Sequence, residues 1–136
     1  MRRRDRIVAD TNVLIGSQLL PACVSDLAIR RAEDTGILLV SDATMNELAD
    51  VLARPKFDRY ISLEDRRQFL RLLGRVAESV PIVYPVQECR DPKDDKFLEV
   101  AINGKADVIL TGDRDLLVLH PWRAVAILSP RNYLKR

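Results

Sequence analysis

The chain has little of what redox or zinc chemistry requires. Among 136 residues there are two cysteines and one histidine, His120. Cys23 and Cys89 lie far apart and neither belongs to a CxxC, which leaves almost no room for a Cys/His zinc site. Nor do they suggest a disulfide framework; unpaired thiols in a reducing cytoplasm are the expectation. Aromatic residues make up 5% of the chain, too few for an extensive base-stacking platform. No apolar run approaches the roughly 18 residues that a bilayer-crossing helix needs. Nothing after "MRRRDR" reads as a signal peptide. No membrane partner is therefore expected, and the localisation expected is cytoplasmic. Internal repeats and low-complexity segments are missing as well. Charge of one sign is not in excess: the net charge is +2 and the pI about 8.7. That balance permits contact with a polyanion without demonstrating it.

The length favours one domain over residues 1–136. A hydrophobic share of 47% is ordinary for a chain that buries a core. The blocks "IVA", "ILLV", "PIVY", "DVILT" and "AVAIL" are short and β-branched, and they read as buried strands. Helical patterns separate them. "SDLAIRRAEDTG" puts Leu27, Ala28 and Ala32 on one stripe and stops at Gly36. "SDATMNELADVLARP" carries Met45, Leu48, Ala49 and Leu52 at helical spacing and closes at Pro55. "SLEDRRQFLRLLGRVAES" opens with Ser62 and Asp65 in capping-box spacing, with Phe69, Leu70, Leu73, Val76 and Ala77 on its apolar face. "DPKDDKFLEVAING" has Asp91 suited to cap, Pro92 to the first turn, and a stripe of Phe97, Leu98, Ala101 and Ile102. Strands alternating with helices argue an α/β domain with a mostly parallel sheet.

In such sheets ligands bind beyond the carboxyl ends of the strands. "RIVADTNVLI" breaks an apolar run with Asp10, Thr11 and Asn12, at the point where the first strand should empty into a site. "DVILTGDRDLL" repeats the pattern with Thr111, Gly112 and Asp113, and Asp115 follows. Asp95 falls in the first turn of its helix, and Glu47 on the edge of an apolar stripe. Acids brought together raise one another's pKa and cost stability unless a cation joins them. Without a histidine or cysteine cluster, only oxygen ligands are on offer, which suits Mg²⁺ or Mn²⁺. A metal held by carboxylates beside a polyanion equips a site to hydrolyse nucleic acid. Each acid also has a plainer reading. A strand-end Asp can cap the next helix, Asp42, Asp65 and Asp91 read as caps, and Glu47 alone reads as a surface helix acid. His120, before Pro121 and Trp122, reads as structural, and Trp122 as packed beneath the last strand.

The stretches "IVADTNVLI", "SDATMNELADVLARPKF", "CRDPKDDKFLEVAINGKADVILTGDRDLL" and "ILSPRNYL" together resemble the PIN-domain family of metal-dependent ribonucleases. Within it they are most similar to VapC-type toxins of toxin–antitoxin pairs. The resemblance implies a three-layer α/β/α fold with a central, mostly parallel sheet. It implies an Mg²⁺- or Mn²⁺-dependent endoribonuclease that hydrolyses phosphodiester bonds of single-stranded or structured RNA, partnered by a cognate antitoxin and assembled as a homodimer. By position, Asp10, Glu47, Asp95 and Asp113 are the catalytic and metal-binding acids, with Asp10 and Asp95 as direct ligands. Thr11 and Asn12 would fix the Asp10 turn, and Thr111 is their counterpart on the other strand. Asp115 is the reserve for Asp113, and Asp94, its neighbour in the acid pair, is the reserve for Asp95. Lys93, Lys96, Arg114 and the arginines of "MRRRDR" are candidates for RNA phosphates.

Two rivals share the architecture. An aspartyl-phosphate phosphatase wants a second Asp two residues after its nucleophile, where this chain has Asn12. A non-catalytic interaction domain of the same fold would carry the acids without using them.

Overall fold

The computed structural model describes residues 4–136, so Arg2 and Arg3 of the basic N-terminus lie outside the described residues. Strand β1 (Asp5–Ala9) lies at the centre of a five-stranded sheet. On one side it pairs with β2 (Gly36–Val40), which pairs with β3 (Glu78–Ser79). On the other it pairs with β4 (Val108–Leu110), which pairs with β5 (Ala126–Leu128). All four pairings are parallel and the order is β3-β2-β1-β4-β5. The chain winds outward from β1 in one direction, then crosses back to β4 and winds outward in the other. The crevice between β1 and β4 is thus the topological switch point, where open α/β sheets place their ligands.

Alternation along the strands sorts the core into two faces. Ile7, Ala9, Leu38, Val108 and Leu110 face one layer, with Val13, Leu14, Ala28, Ile29, Leu48, Leu52 and Leu73 from the helices. Those helices are α1 (Thr11–Leu19), α2 (Val24–Thr35), α3 (Asp42–Leu52) and α4 (Leu63–Val76). Val8, Leu39, Ile109 and Ile127 face the opposite layer, against Phe97, Leu98 and Ala101 of α5 (Asp95–Asn103) and Leu116 of α6 (Arg114–Leu117). Tyr133 of the last helix, α7 (Pro130–Leu134), returns to the first layer. The result is three layers with helices on both faces of a parallel sheet.

Local signals set most boundaries. Ser41 caps α3 through a reciprocal capping box with Thr44, so Asp42 is a first-turn residue rather than the cap. Ser62 caps α4 by accepting from the Asp65 amide, so Asp65, too, is not the cap. Helix α2 runs straight into β2 at Gly36, where a Cβ would stand 2.7 Å from the Asp5 carbonyl oxygen. Arg66 is buried on α4 and fastens the connection from α3. Its Nε donates to Ile61 O, Nη1 to Leu52 O and Nη2 to Asp58.

Three expectations need correction. "PIVY" is not a buried strand. The ladder on that edge ends where the Val80 amide donates to Val40 O, because β2 itself stops at Val40 and Ser41 turns the chain into α3. Ile82, Val83 and Tyr84 are exposed, and the Asn103 side chain, rather than a neighbouring strand, binds the Val83 and Tyr84 backbone. Leu27 and Val76 lie outside the core: the buried stripe of α2 is Ala28, Ile29 and Ala32, and α4 buries Leu73 on its apolar side. The helix expected from Asp91 is split. Pro92–Asp94 forms a 3₁₀ turn capped by Asp91, and the α-helix begins only at Asp95. No single helix among the described residues is long and apolar enough to cross a membrane.

Candidate active site

Strand β1 ends at Ala9, and Asp10 is the N-cap of α1. Its backbone amide still donates to Leu110 O, which pins it beside β4. Its Oδ1 accepts from the Val13 amide at 2.9 Å, and its Oδ2 accepts from the Thr111 hydroxyl at 2.5 Å. The same Thr111 oxygen accepts from the Asp113 amide at 2.9 Å. Asp113 in turn caps α6, accepting from the Asp115 amide at 2.9 Å. One wholly buried hydroxyl therefore joins the two strand ends and holds both acidic turns in place.

The 3₁₀ turn delivers a further acid. Carboxylate oxygens of Asp94, Asp113 and Asp115 lie within 4.8 Å of one another. The structure brings Asp94, rather than Asp95, into this group. Asp95 is buried at the start of α5, and its Oδ1 accepts from the amides of Glu88 and Cys89 at 3.1 and 2.7 Å. The expected direct ligand thus braces the preceding loop. Consecutive residues of a helical turn point about 100° apart, and the amides of Glu88 and Cys89 hold Asp95 toward the preceding loop.

The electrostatics fit a gathering of like charges. Burial pushes the Asp94 carboxyl up to about 7, helped by a hydrogen bond to Asp113 and by the charges of Asp113, Asp91 and Asp10. Asp10 is raised too, chiefly by burial and then by Asp113 and Glu47, against the opposing bonds from Thr111 and Val13. Cys89 is buried beside this group with its Sγ 3.9 Å from Asp94 Oδ2. Burial and the nearby acids raise its pKa, so it is a neutral thiol. All the charged donors are hard oxygens, the set that suits a small divalent cation, and such a cation would relieve the repulsion.

Glu47, on α3, borders the site half-buried. Its Oε2 accepts from the Thr11 hydroxyl and its Oε1 from the Lys96 ammonium. Thr11 therefore reaches Glu47 instead of bracing Asp10, and Asn12 is exposed. Thr111 and the Val13 amide do the bracing. Lys96 is paired with a carboxylate, whereas Lys93 and Arg114 are exposed beside the acidic turns. His120 accepts the Ile127 amide at Nδ1, and Trp122 is buried and donates to Glu88, so both are structural as expected. Sequence reasoning missed the Glu47–Lys96 pair and the Cys89 thiol at the site. For Lys96 a signal existed, since it adjoins the acid pair; for Cys89 none did.

Comparison with known proteins agrees with this architecture. A profile of the PIN domain matches residues 6–115. An uncharacterized protein of Methanocaldococcus jannaschii is 31% identical over 121 residues, which span 84% of this chain and 74% of the relative. The fold is similar to that in the crystal structure of VapBC2 from Rickettsia felis bound to a DNA fragment from its promoter, with a TM-score of 0.60, 9% identity, and coverage of 91% of this chain and 98% of that one. It is also similar to PAE2754 from Pyrobaculum aerophilum, with a TM-score of 0.57, 16% identity, and coverage of 96% and 88%. Motif order, sheet topology and family profile converge, and the chain belongs to the PIN-domain family, whose members are generally nucleases.

Proposed function

We propose that this chain is a metal-dependent endoribonuclease acting in the cytoplasm, the toxin of a toxin–antitoxin pair, working as a homodimer and restrained by a cognate antitoxin. The observation that carries the reading is the meeting of Asp94, Asp113 and Asp115 beside Asp10 at the switch point of the sheet. Asp94, whose carboxyl is raised first by burial and then by Asp113, is costly as mere surface and useful as part of a cation site. The likeness to the Rickettsia felis VapBC2 structure supports the antitoxin partner.

In this reading Asp94, Asp113 and Asp115 hold Mg²⁺ or Mn²⁺, with Asp10 closing the set. The ion supplies Lewis acidity, making water a better nucleophile and offsetting charge that builds on the phosphodiester. The remaining work falls to the chain. Thr111 and the Val13 amide keep Asp10 in one orientation, so no reorganisation is needed during reaction. Glu47 stands at the border as acceptor for a proton of the attacking water. Asp95 keeps the 88–89 loop against α5. Lys93 and Arg114 grip RNA phosphates, an attraction that weakens as salt rises.

Purified protein should cut single-stranded RNA with Mn²⁺ or Mg²⁺ and stop when a chelator is added. Asp94→Asn should remove most of the activity, and Asp95→Asn should keep most of it below its own unfolding temperature. The opposite ranking would overturn the assignment. Release of phosphate from a small phosphomonoester with RNA left intact would favour the phosphatase-like alternative.

A further inference from the structure

The ammonium of Lys96 sits against Glu47 at the border of the acidic centre. Glu47 has both oxygens engaged by the protein: Thr11 donates to Oε2, and Lys96 Nζ lies 2.5 Å from Oε1. The pair bridges α3 and α5, 49 residues apart in sequence, and both side chains are largely shielded, with 22% and 25% of their surface exposed. Glu47 is near enough to Asp10 for its charge to be felt there. We infer that Lys96 is an internal counter-ion that competes with a divalent cation for Glu47, and so sets how many ions the acidic centre takes up and how tightly. The inference rests on the metal-dependent reading above.

The two contacts on Glu47 differ in kind. The Thr11 hydroxyl is a neutral donor that uses one lone pair and leaves the carboxylate free to coordinate. The ammonium is a full positive charge, and a divalent ion on the same oxygens would face it at close range. Lys96 and a second ion therefore exclude each other at Glu47. With one ion among Asp94, Asp113 and Asp115, the pair persists and keeps Glu47 aimed at the centre. For a second ion to enter, Lys96 must leave. Its stem is flexible and its head is a compact point charge, and Lys96 is only two positions beyond Asp94. The released ammonium is then free for the phosphodiester. Lys96 is in this sense a positioning residue, acting on the chemistry through Glu47.

Mn²⁺ binding to wild type, Lys96→Met, Lys96→Arg and the double variant Lys96→Met/Glu47→Gln can be followed by titration calorimetry, with thermal unfolding recorded with and without Mn²⁺. Lys96→Met should bind Mn²⁺ about tenfold more tightly or gain a second ion per chain, the effect of removing one adjacent positive charge. Without metal it should unfold at a lower temperature than wild type, and Mn²⁺ should raise that temperature by more than it does for wild type. Lys96→Arg should behave as wild type, and Glu47→Gln in the Lys96→Met background should cancel the gain. Should Lys96→Met fold poorly, Lys96→Gln carries the same expectation with less loss of packing. Unchanged affinity and stoichiometry overturn the inference, as does a fall in unfolding temperature that is equal with and without Mn²⁺. If wild type binds Mn²⁺ and the Lys96 variants bind it identically, only this inference fails. If no variant binds the ion, the metal-dependent reading fails with it.

Discussion

The two ends of β1 treat charge in opposite ways. Near the amino end Asp5, Glu78 and Asp107 each meet a base or a backbone donor. Arg6 pairs with Glu78, its Nε donates to Gly104 O at 2.7 Å, and its amide donates to an Asp107 oxygen at 2.8 Å. Asp5 lies 3.5 Å from Arg136. At the carboxyl end, four residues on, Asp10 is surrounded by further acids and only hydroxyl and amide donors temper it. One end is arranged for stability. The other is held in a costly state by the packing around it, which is what a site needs if its missing component is a ligand.

The contrast is tested first where it is sharpest. Asp10→Asn should lower RNA cleavage by at least about 100-fold, the scale expected for a group in direct contact with the reacting centre. In the same variant the metal-free unfolding temperature should rise, because a buried, repelled charge is gone. Cleavage at the wild-type rate, or a fall in unfolding temperature, would erase the difference between the two ends. The second test is pH. Folded Asp94 titrates at about 7 against an ordinary value of 3.8, so the folded form holds a proton that the unfolded form has released. The stability this provides is full below pH 4 or so and is lost as pH rises through about 7. Denaturant titrations of metal-free protein between those limits should show the decline, and Asp94→Asn should flatten it. Glu78 has the opposite sign, since the Arg6 hydrogen bond lowers its pKa. Its contribution is present above its unfolded pKa and lost as pH falls through the depressed folded value.

Next in size is Arg6→Ala, which strands the Gly104 carbonyl and should cost about 1–2 kcal/mol in chemical denaturation while leaving cleavage unchanged. The smallest effect belongs to Glu78→Gln. That carboxylate is well exposed, so the loss should be under about 1 kcal/mol and vanish in high salt.

Much of this was legible in the residues themselves. Apolar runs that give way to Asp10 and to Thr111-Gly112-Asp113 mark strand ends, and a parallel sheet places strand ends together. What was not legible depended on neighbours. "PIVY" has strand-like residues, but sequence does not show that β2 stops at Val40 and leaves them no strand to pair with. The stripes on α2 and α4 were found at helical spacing, yet periodicity does not say how far cover extends, and Leu27 and Val76 fall outside it. The acid pair at 94 and 95 was read on one continuous helix. Which member faces the centre depends on the Glu88 and Cys89 amides, which take up Asp95, and no local pattern shows that contact. The Glu47–Lys96 pair required α3 and α5 to be placed side by side, which no local pattern encodes.

The hydroxyl of Thr111 reaches back 101 positions to Asp10. That span has a consequence in time. A growing polypeptide emerges with Asp10 first and Glu47 next; the Val13 amide can hold one oxygen of Asp10 early, but the other has no brace until the segment carrying Thr111 has been synthesised and slotted in beside β1. An incomplete translation product that stops short of β4 has neither that brace nor Asp113 and Asp115. The acidic centre is thus complete only after β4 and the turn beyond it have been made, and a polypeptide released earlier lacks two of the three clustered carboxylates.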